Sequence, residues 1–126
     1  MAQSPQQQRT SVLVVEDEPL LRICAADLAK DEGFNVHEAQ DADQAILILE
    51  TYSEITIVIT DIYMAGSMDG LQLAAYAHDS WPPLRFIIVS GQCNPTAVDM
   101  PPGAIFFTKP YHFDAMRRAL RSFAPE

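Results

Sequence analysis

The stretch Ile55-Thr56-Ile57-Val58-Ile59-Thr60-Asp61 constrains the fold of this chain more than any other. A run of β-branched, mostly apolar residues this short reads as a strand buried on both faces, as central strands of parallel sheets are. Such a strand cannot hold a charge in its interior, so Asp61 belongs at its carboxyl end, where the sheet opens to water. In open α/β sheets that edge is where ligands bind. Asp also starts turns after strands. The stretch alone leaves both readings open.

A second run, Ser11-Val12-Leu13-Val14-Val15, mirrors the first and ends in Glu16-Asp17-Glu18. Pro19 suits the first turn of a following helix. Leu21, Cys24, Ala25 and Leu28 recur at helical spacing, which places the Cys24 thiol in the core, and Gly33 stops the helix. Phe34 to Ala39 is a short strand. Asp41 caps a helix with Gln44 three residues on, as in a capping box, and Ala42, Ala45, Ile46 and Leu49 form its stripe. After the Asp61 strand and a loop over residues 62–68, Asp69 caps a helix from about Gly70 to His78. Trp81-Pro82-Pro83 breaks the chain before a fourth strand, Arg85 to Val89, that ends in Ser90-Gly91.

Pro95, Pro101 and Pro102 confine any helix in the next segment to a turn or so around Thr96 to Met100. Ala104 to Phe107 is a fifth strand, followed by Thr108-Lys109-Pro110. A last helix from about Phe113 to Phe123 turns Phe113, Met116 and Leu120 inward and Arg117, Arg118 and Arg121 outward, the arginines serving as complements to the helix dipole. Strands alternating with helices predict an α/β fold with helices on both faces of a five-stranded parallel sheet. Right-handed crossovers make it doubly wound. The flavodoxin-like order 2-1-3-4-5, with a shortened fourth helix, sets the first and third strands side by side at the switch point.

That order turns sequence positions into a site. Adjacent strands lie about 5 Å apart, so Glu16, Asp17 and Asp61 crowd together. Three like charges raise one another's pKa unless something positive sits between them. A divalent cation answers this, and oxygen-only donors favour magnesium over a transition metal. Ser90 and Lys109 end the fourth and fifth strands on the same edge and add a hydroxyl and an ammonium. Taken singly, each has an ordinary reading: acids at a helix start, a solvated lysine, a turn serine. Together, metal, lysine and hydroxyl suit phosphoryl transfer. There is no G-x-x-x-x-G-K-[ST] loop and no G-x-G-x-x-G, so no nucleotide cradle is expected and the phosphoryl group ends on the protein, with Asp61 as nucleophile.

The 126 residues give room for one domain, with residues 1–9 as a polar, Gln-rich disordered tail and 10–126 as the folded unit. A net charge of -9 argues against a nucleic-acid binder. Two cysteines make neither a disulfide framework nor a zinc site, and Cys93 falls in a loop as an exposed thiol. His37, His78 and His112 have no ligand spacing. With no signal peptide and no apolar run long enough for a bilayer, a cytoplasmic protein without membrane contact is expected.

VVEDEP at residues 14–19, TDIYM with MDG over 60–70, VSG at 89–91 and TKP at 108–110 resemble the receiver domain of bacterial two-component response regulators. The resemblance runs from about residue 11 to 123. It implies that Asp61 accepts a phosphoryl group from a phosphohistidine on a sensor histidine kinase or a histidine phosphotransfer protein. It further implies that Glu16, Asp17, Asp61 and the backbone carbonyl of Tyr63 bind Mg2+, and that Ser90 and Lys109 contact the bound phosphoryl group. Phe106 falls at the family's aromatic switch position; without a phenolic hydroxyl it would act by ring packing.

The chain departs from the family pattern in three places. Ala65 stands where proline is usual, the loop before Asp69-Gly70 is one residue longer, and the fourth helix is shortened and proline-laden. The chain resembles stand-alone receivers, which act through contact with a downstream protein, as a homodimer, or as a phosphate sink; it would not be an enzyme beyond its own phosphorylation and slow dephosphorylation. A phosphorylation-independent adaptor with the same fold is the alternative. A phosphohydrolase for small molecules would need a general acid besides Asp61, and none is in view.

Overall fold

In a computed structural model, which describes residues 10–92, 95 and 99–124, five strands and four helices follow one another along the chain. They are β1 (Ser11–Val15), α1 (Pro19–Asp31), β2 (Asn35–Ala39), α2 (Ala42–Thr51), β3 (Ile55–Asp61), α3 (Gly70–Ser80), β4 (Arg85–Ser90), β5 (Ile105–Thr108) and α4 (Phe113–Phe123). The sheet is parallel throughout, in the order β2-β1-β3-β4-β5, as the sequence predicts. The proposed tail at 1–9, the Cys93 thiol and most of the short helix expected around Thr96 to Met100 lie outside the described residues.

Each face of the sheet is covered by two helices. On one, Leu13, Val58 and Ile88 meet Ala42, Ala45 and Leu49 of α2 and Leu73, Ala74 and Ala77 of α3. On the other, Val12, Ile57, Ile59 and Ile87 meet Ala25, Ala26, Leu28 and Ala29 of α1 and Met116, Ala119 and Leu120 of α4. β3 is buried along its length, with only Thr56 half-exposed, which is why its sequence carries no alternation.

The caps follow the sequence closely. Asp69 and Gln72 form a reciprocal capping box at the start of α3. Asp41 accepts the Gln44 N–H at 2.9 Å, but the Gln44 side chain reaches the N–H of Gln40 and not that of the cap residue. Glu18, one of the three acids after β1, caps α1 by accepting the Leu20 N–H at 2.9 Å, with Pro19 at the first helical position. Gly33, at φ +92°, ends the turn after α1.

Three expectations are corrected. Cys24 is exposed, because α1 meets the sheet through Ala25, Ala26, Leu28 and Ala29, a stripe rotated off the Leu21–Cys24 line. Phe113 is exposed as well; it opens α4 before the helix comes down on the sheet at Met116. Arg117 and Arg121 do more than complement the α4 dipole. Arg121 binds Glu32 at the end of α1 through Nε and Nη2, at 2.6 and 3.1 Å, and Arg117 lies 3.5 Å from Asp31 and 3.7 Å from Glu32.

Candidate functional site

The sheet register delivers the site. Val15 pairs with Thr60, so the next step along β1 sets Glu16 beside Asp61; Asp61 pairs with Val89 and Ser90 with Thr108. Glu16, Asp61 and Ser90 are all buried, while Asp17 is exposed at the rim. One carboxylate oxygen from each of Glu16, Asp17 and Asp61 lies within 4.8 Å of the others. Lys109 closes the group: its Nζ is 2.8 Å from Glu16 Oε1 and 3.1 Å from Asp61 Oδ2.

The supports are local. Glu16 Oε2 accepts the Glu18 N–H at 3.1 Å, and Arg22 donates from Nη1 to the Glu16 carbonyl at 2.9 Å. Asp17 Oδ2 accepts the Ala65 N–H at 3.4 Å, a donor that a proline at that position would lack. Ser90 Oγ accepts the Gln92 N–H at 3.1 Å, and the Ser90 carbonyl accepts the Lys109 N–H at 2.9 Å, joining the ends of β4 and β5. The Lys109–Pro110 peptide is cis. Phe106 pairs with Ile88 on β4 and is half-buried against the α2–α3 core. Tyr63 is half in solvent in the loop after β3.

The electrostatics follow from burial and one cation. Desolvation pushes the Glu16 carboxyl above its ordinary range, more than its hydrogen bonds from Lys109 and Glu18 pull it down. Lys109 is desolvated too, which opposes its charge, but Glu16 and Asp61 together outweigh this and raise its pKa. The ammonium is therefore firmly charged. Two carboxylates sharing one lysine, with Asp17 alongside, leave the group net negative. Three oxygen donors of this kind fit a hard divalent cation.

Sequence reasoning missed two supports. Gly70 has no room for a side chain, since a Cβ there would fall 1.9 Å from the Asp61 carbonyl oxygen. Its N–H donates to the Ile62 carbonyl at 2.7 Å, which draws the start of α3 against the end of β3. The Asp69-Gly70 pair was visible as a motif; the close approach was not. Arg22, which also pairs with Glu38 at 3.3 Å, reads in sequence as a surface residue.

Beside the carboxylates, between α1 and the β5–α4 connection, lies a mostly apolar groove of about 440 Å³. Leu21, Cys24, Tyr111 and Phe113 form its rim, and Glu16, Asp61 and Lys109 its charged end. Burial raises the Tyr111 hydroxyl above its usual pKa. Among the described residues no helix is long and apolar enough to cross a membrane.

Comparison with known proteins agrees with this geometry. Residues 12–121 match the response regulator receiver domain family. The chain is 33% identical over 111 residues to the sensor kinase CckA of Brucella abortus, a match covering 86% of this chain and 12% of that protein. It is 32% identical over 109 residues to the nitrogen assimilation regulatory protein NtrX of Azorhizobium caulinodans, covering 83% and 24%. The crystal structure of the receiver domain of NtrX from Brucella abortus superposes with a TM-score of 0.80 at 30% identity, covering 90% of this chain and 97% of that one. The chain spans about a quarter or less of the length of the curated relatives it matches. It belongs to the response regulator receiver domain family.

Proposed function

We propose that Asp61 is a phosphoacceptor, taking a phosphoryl group from a phosphohistidine of a sensor histidine kinase or histidine phosphotransfer protein. The observation that carries this reading is Lys109 Nζ, held within hydrogen-bond distance of both Glu16 and Asp61 at the carboxyl edge of the sheet. An Asp61 carboxylate oxygen attacks phosphorus as the P–N bond to the donor imidazole breaks. The electron pair leaves on the ring nitrogen, and the protein keeps an acyl phosphate. Glu16, Asp17, Asp61 and the Tyr63 backbone carbonyl would hold Mg2+, which when bound supplies positive charge to the phosphoryl oxygens.

This chain's own groups do the rest. Lys109 fixes the orientation of Asp61 before transfer and pairs with a phosphoryl oxygen after it. The Ser90 hydroxyl donates to another. Moving Ser90 toward the phosphoryl group shifts the end of β4, and Phe106, paired two residues before it across β4–β5, repacks its ring in response. The readout is a population shift sensed by a partner protein, so no substrate is turned over. The exposed Leu21 and Phe113 that line the groove give the phosphodonor an apolar surface next to Asp61.

The test is intact-mass analysis after incubation with acetyl phosphate and Mg2+, beside amide NMR with beryllofluoride. The protein gains one phosphoryl group, and the Ser90 and Phe106 amides shift; Asp61→Asn loses both responses. Full phosphorylation of Asp61→Asn, or none of the native chain by any donor, sinks the assignment. A pure adaptor would bind its partner with one affinity in both states.

A further inference from the structure

The opposite end of the sheet holds a second cavity, of about 320 Å³, between the last turns of α2 and α3. It is unrelated to the carboxylates above and goes beyond the phosphoacceptor reading. Glu50, Tyr52, Thr56, Trp81, Pro82 and Pro83 are among its walls. We propose that this cavity receives an arginine side chain presented by a partner protein.

Three observations point to a planar cation. First, α2 and α3 both end here, so the negative ends of two helix dipoles lie beside the cavity. Second, the last turn of α2 carries no basic side chain to answer its dipole; Glu50 stands there and lines the cavity instead. No lining residue is basic, and Arg85, the nearest arginine in sequence, is turned to the other side of the sheet over the Phe123 ring at 4.4 Å.

Third, two aromatic rings are held in place as walls. Tyr52 stacks on His37 with centroids 4.3 Å apart, and Trp81 is braced edge-on by Tyr76. Ring faces attract cations, and guanidinium stacks on them better than ammonium does. The volume is at the low end for small-molecule sites, which suits one side chain of a partner more than a whole free ligand.

Trp81 is the only tryptophan in the chain, so its fluorescence reports on this cavity alone. The full chain is titrated with a short peptide bearing arginine between prolines, with the same peptide bearing citrulline, and with agmatine. The arginine peptide should change Trp81 emission saturably and more weakly as salt rises, while the uncharged citrulline peptide does not. Glu50→Gln, an exposed change that leaves the fold alone, should weaken binding about two- to fivefold. Asp61→Asn should bind unchanged, which separates this proposal from the phosphoacceptor reading. Citrulline binding as well as arginine, no saturable signal, or no effect of Glu50→Gln would overturn it. Agmatine binding as tightly as the peptide would assign the cavity to a free guanidine and overturn the protein source.

Discussion

The two helical layers cover the same sheet but meet the carboxylate edge in different ways. On the α2–α3 side, the start of α3 is pressed onto the end of β3, with no space even for a methyl group at Gly70. On the α1–α4 side, α1 approaches the sheet through alanines, and its first turns stand off from the β5–α4 connection to leave an apolar groove. The far ends of α1 and α4 are tied by the arginine pairs to Asp31 and Glu32. One layer fixes where Asp61 is. The other leaves it reachable.

The sharpest way to break this comparison is Gly70→Ala. The added carbon would sit 1.9 Å from a backbone oxygen, and no flexible side chain can yield there. Destabilisation of about 3 kcal/mol or more is expected, at the upper end for overpacking, measured by denaturant unfolding. A loss under about 1 kcal/mol would mean that α3 is not rigidly seated. An alanine placed instead at exposed Phe113 on the other layer should cost far less, about 0.5 kcal/mol or below.

Lys109→Ala tests the charged end of the groove. It leaves Glu16 and Asp61 buried without their shared cation, at an expected cost of about 2–3 kcal/mol near neutral pH. The sign of the pH dependence follows from Glu16. Its pKa is already raised in the folded state, so its contribution favours folding below its unfolded pKa and is lost as pH rises through the folded value. Without Lys109 that shift grows, so the variant should regain stability on acidification relative to the native chain. Added Mg2+ should stabilise the variant as it does a protein that binds metal only when folded. A variant whose stability ignores both pH and Mg2+ would show that the carboxylates do not form one coupled group.

How much of this was legible before the structure differs between the layers as well. The five strands could be read because buried parallel strands are continuous apolar runs, and Asp41, Asp69 and Pro19 announced their helix starts. Glu16, Asp17, Asp61, Ser90 and Lys109 could be placed together because strand order alone puts strand ends on one edge. The errors fell on α1 and α4. A helix that packs through Ala25, Ala26 and Ala29 has a weak apolar signal, so larger Leu21 and Cys24 drew the stripe to the wrong line. Phe113 has the right residue type for a core and the wrong place, one turn too early. The Arg121–Glu32 pair joins positions far apart in sequence, and the Gly70 contact depends on a close approach of backbones; neither leaves a periodic trace.

Leu21→Asp sharpens the claim that the α1 side is the open one. Leu21 is 44% exposed, so stability should change by no more than about 0.5 kcal/mol. Phosphorylation by acetyl phosphate, a donor too small to touch α1, should also be unaffected. Transfer from a phosphorylated donor protein should slow about tenfold or more, as expected when a charge is set into an apolar contact. Equal slowing with both donors would place the effect in the site and not in the approach to it.

The smallest effect concerns the tie at the far end of α1 and α4. The hydrogen bonds from Arg121 hold the Glu32 carboxyl below its ordinary range, and the pairing raises Arg121 in turn. A depressed carboxylate contributes stability that is present above its unfolded pKa and lost as pH falls through the folded value. Arg121→Ala should therefore lower the melting temperature slightly and by a constant amount across neutral pH. The gap to the native chain should close as acid protonates Glu32 below its ordinary value of 4.5. It should also narrow in high salt, since Arg121 is largely in water. If the gap instead persists unchanged in acid, the guanidinium is acting through its contact with α1 and not through its charge. The open layer would then be tied by packing after all, as the closed one is.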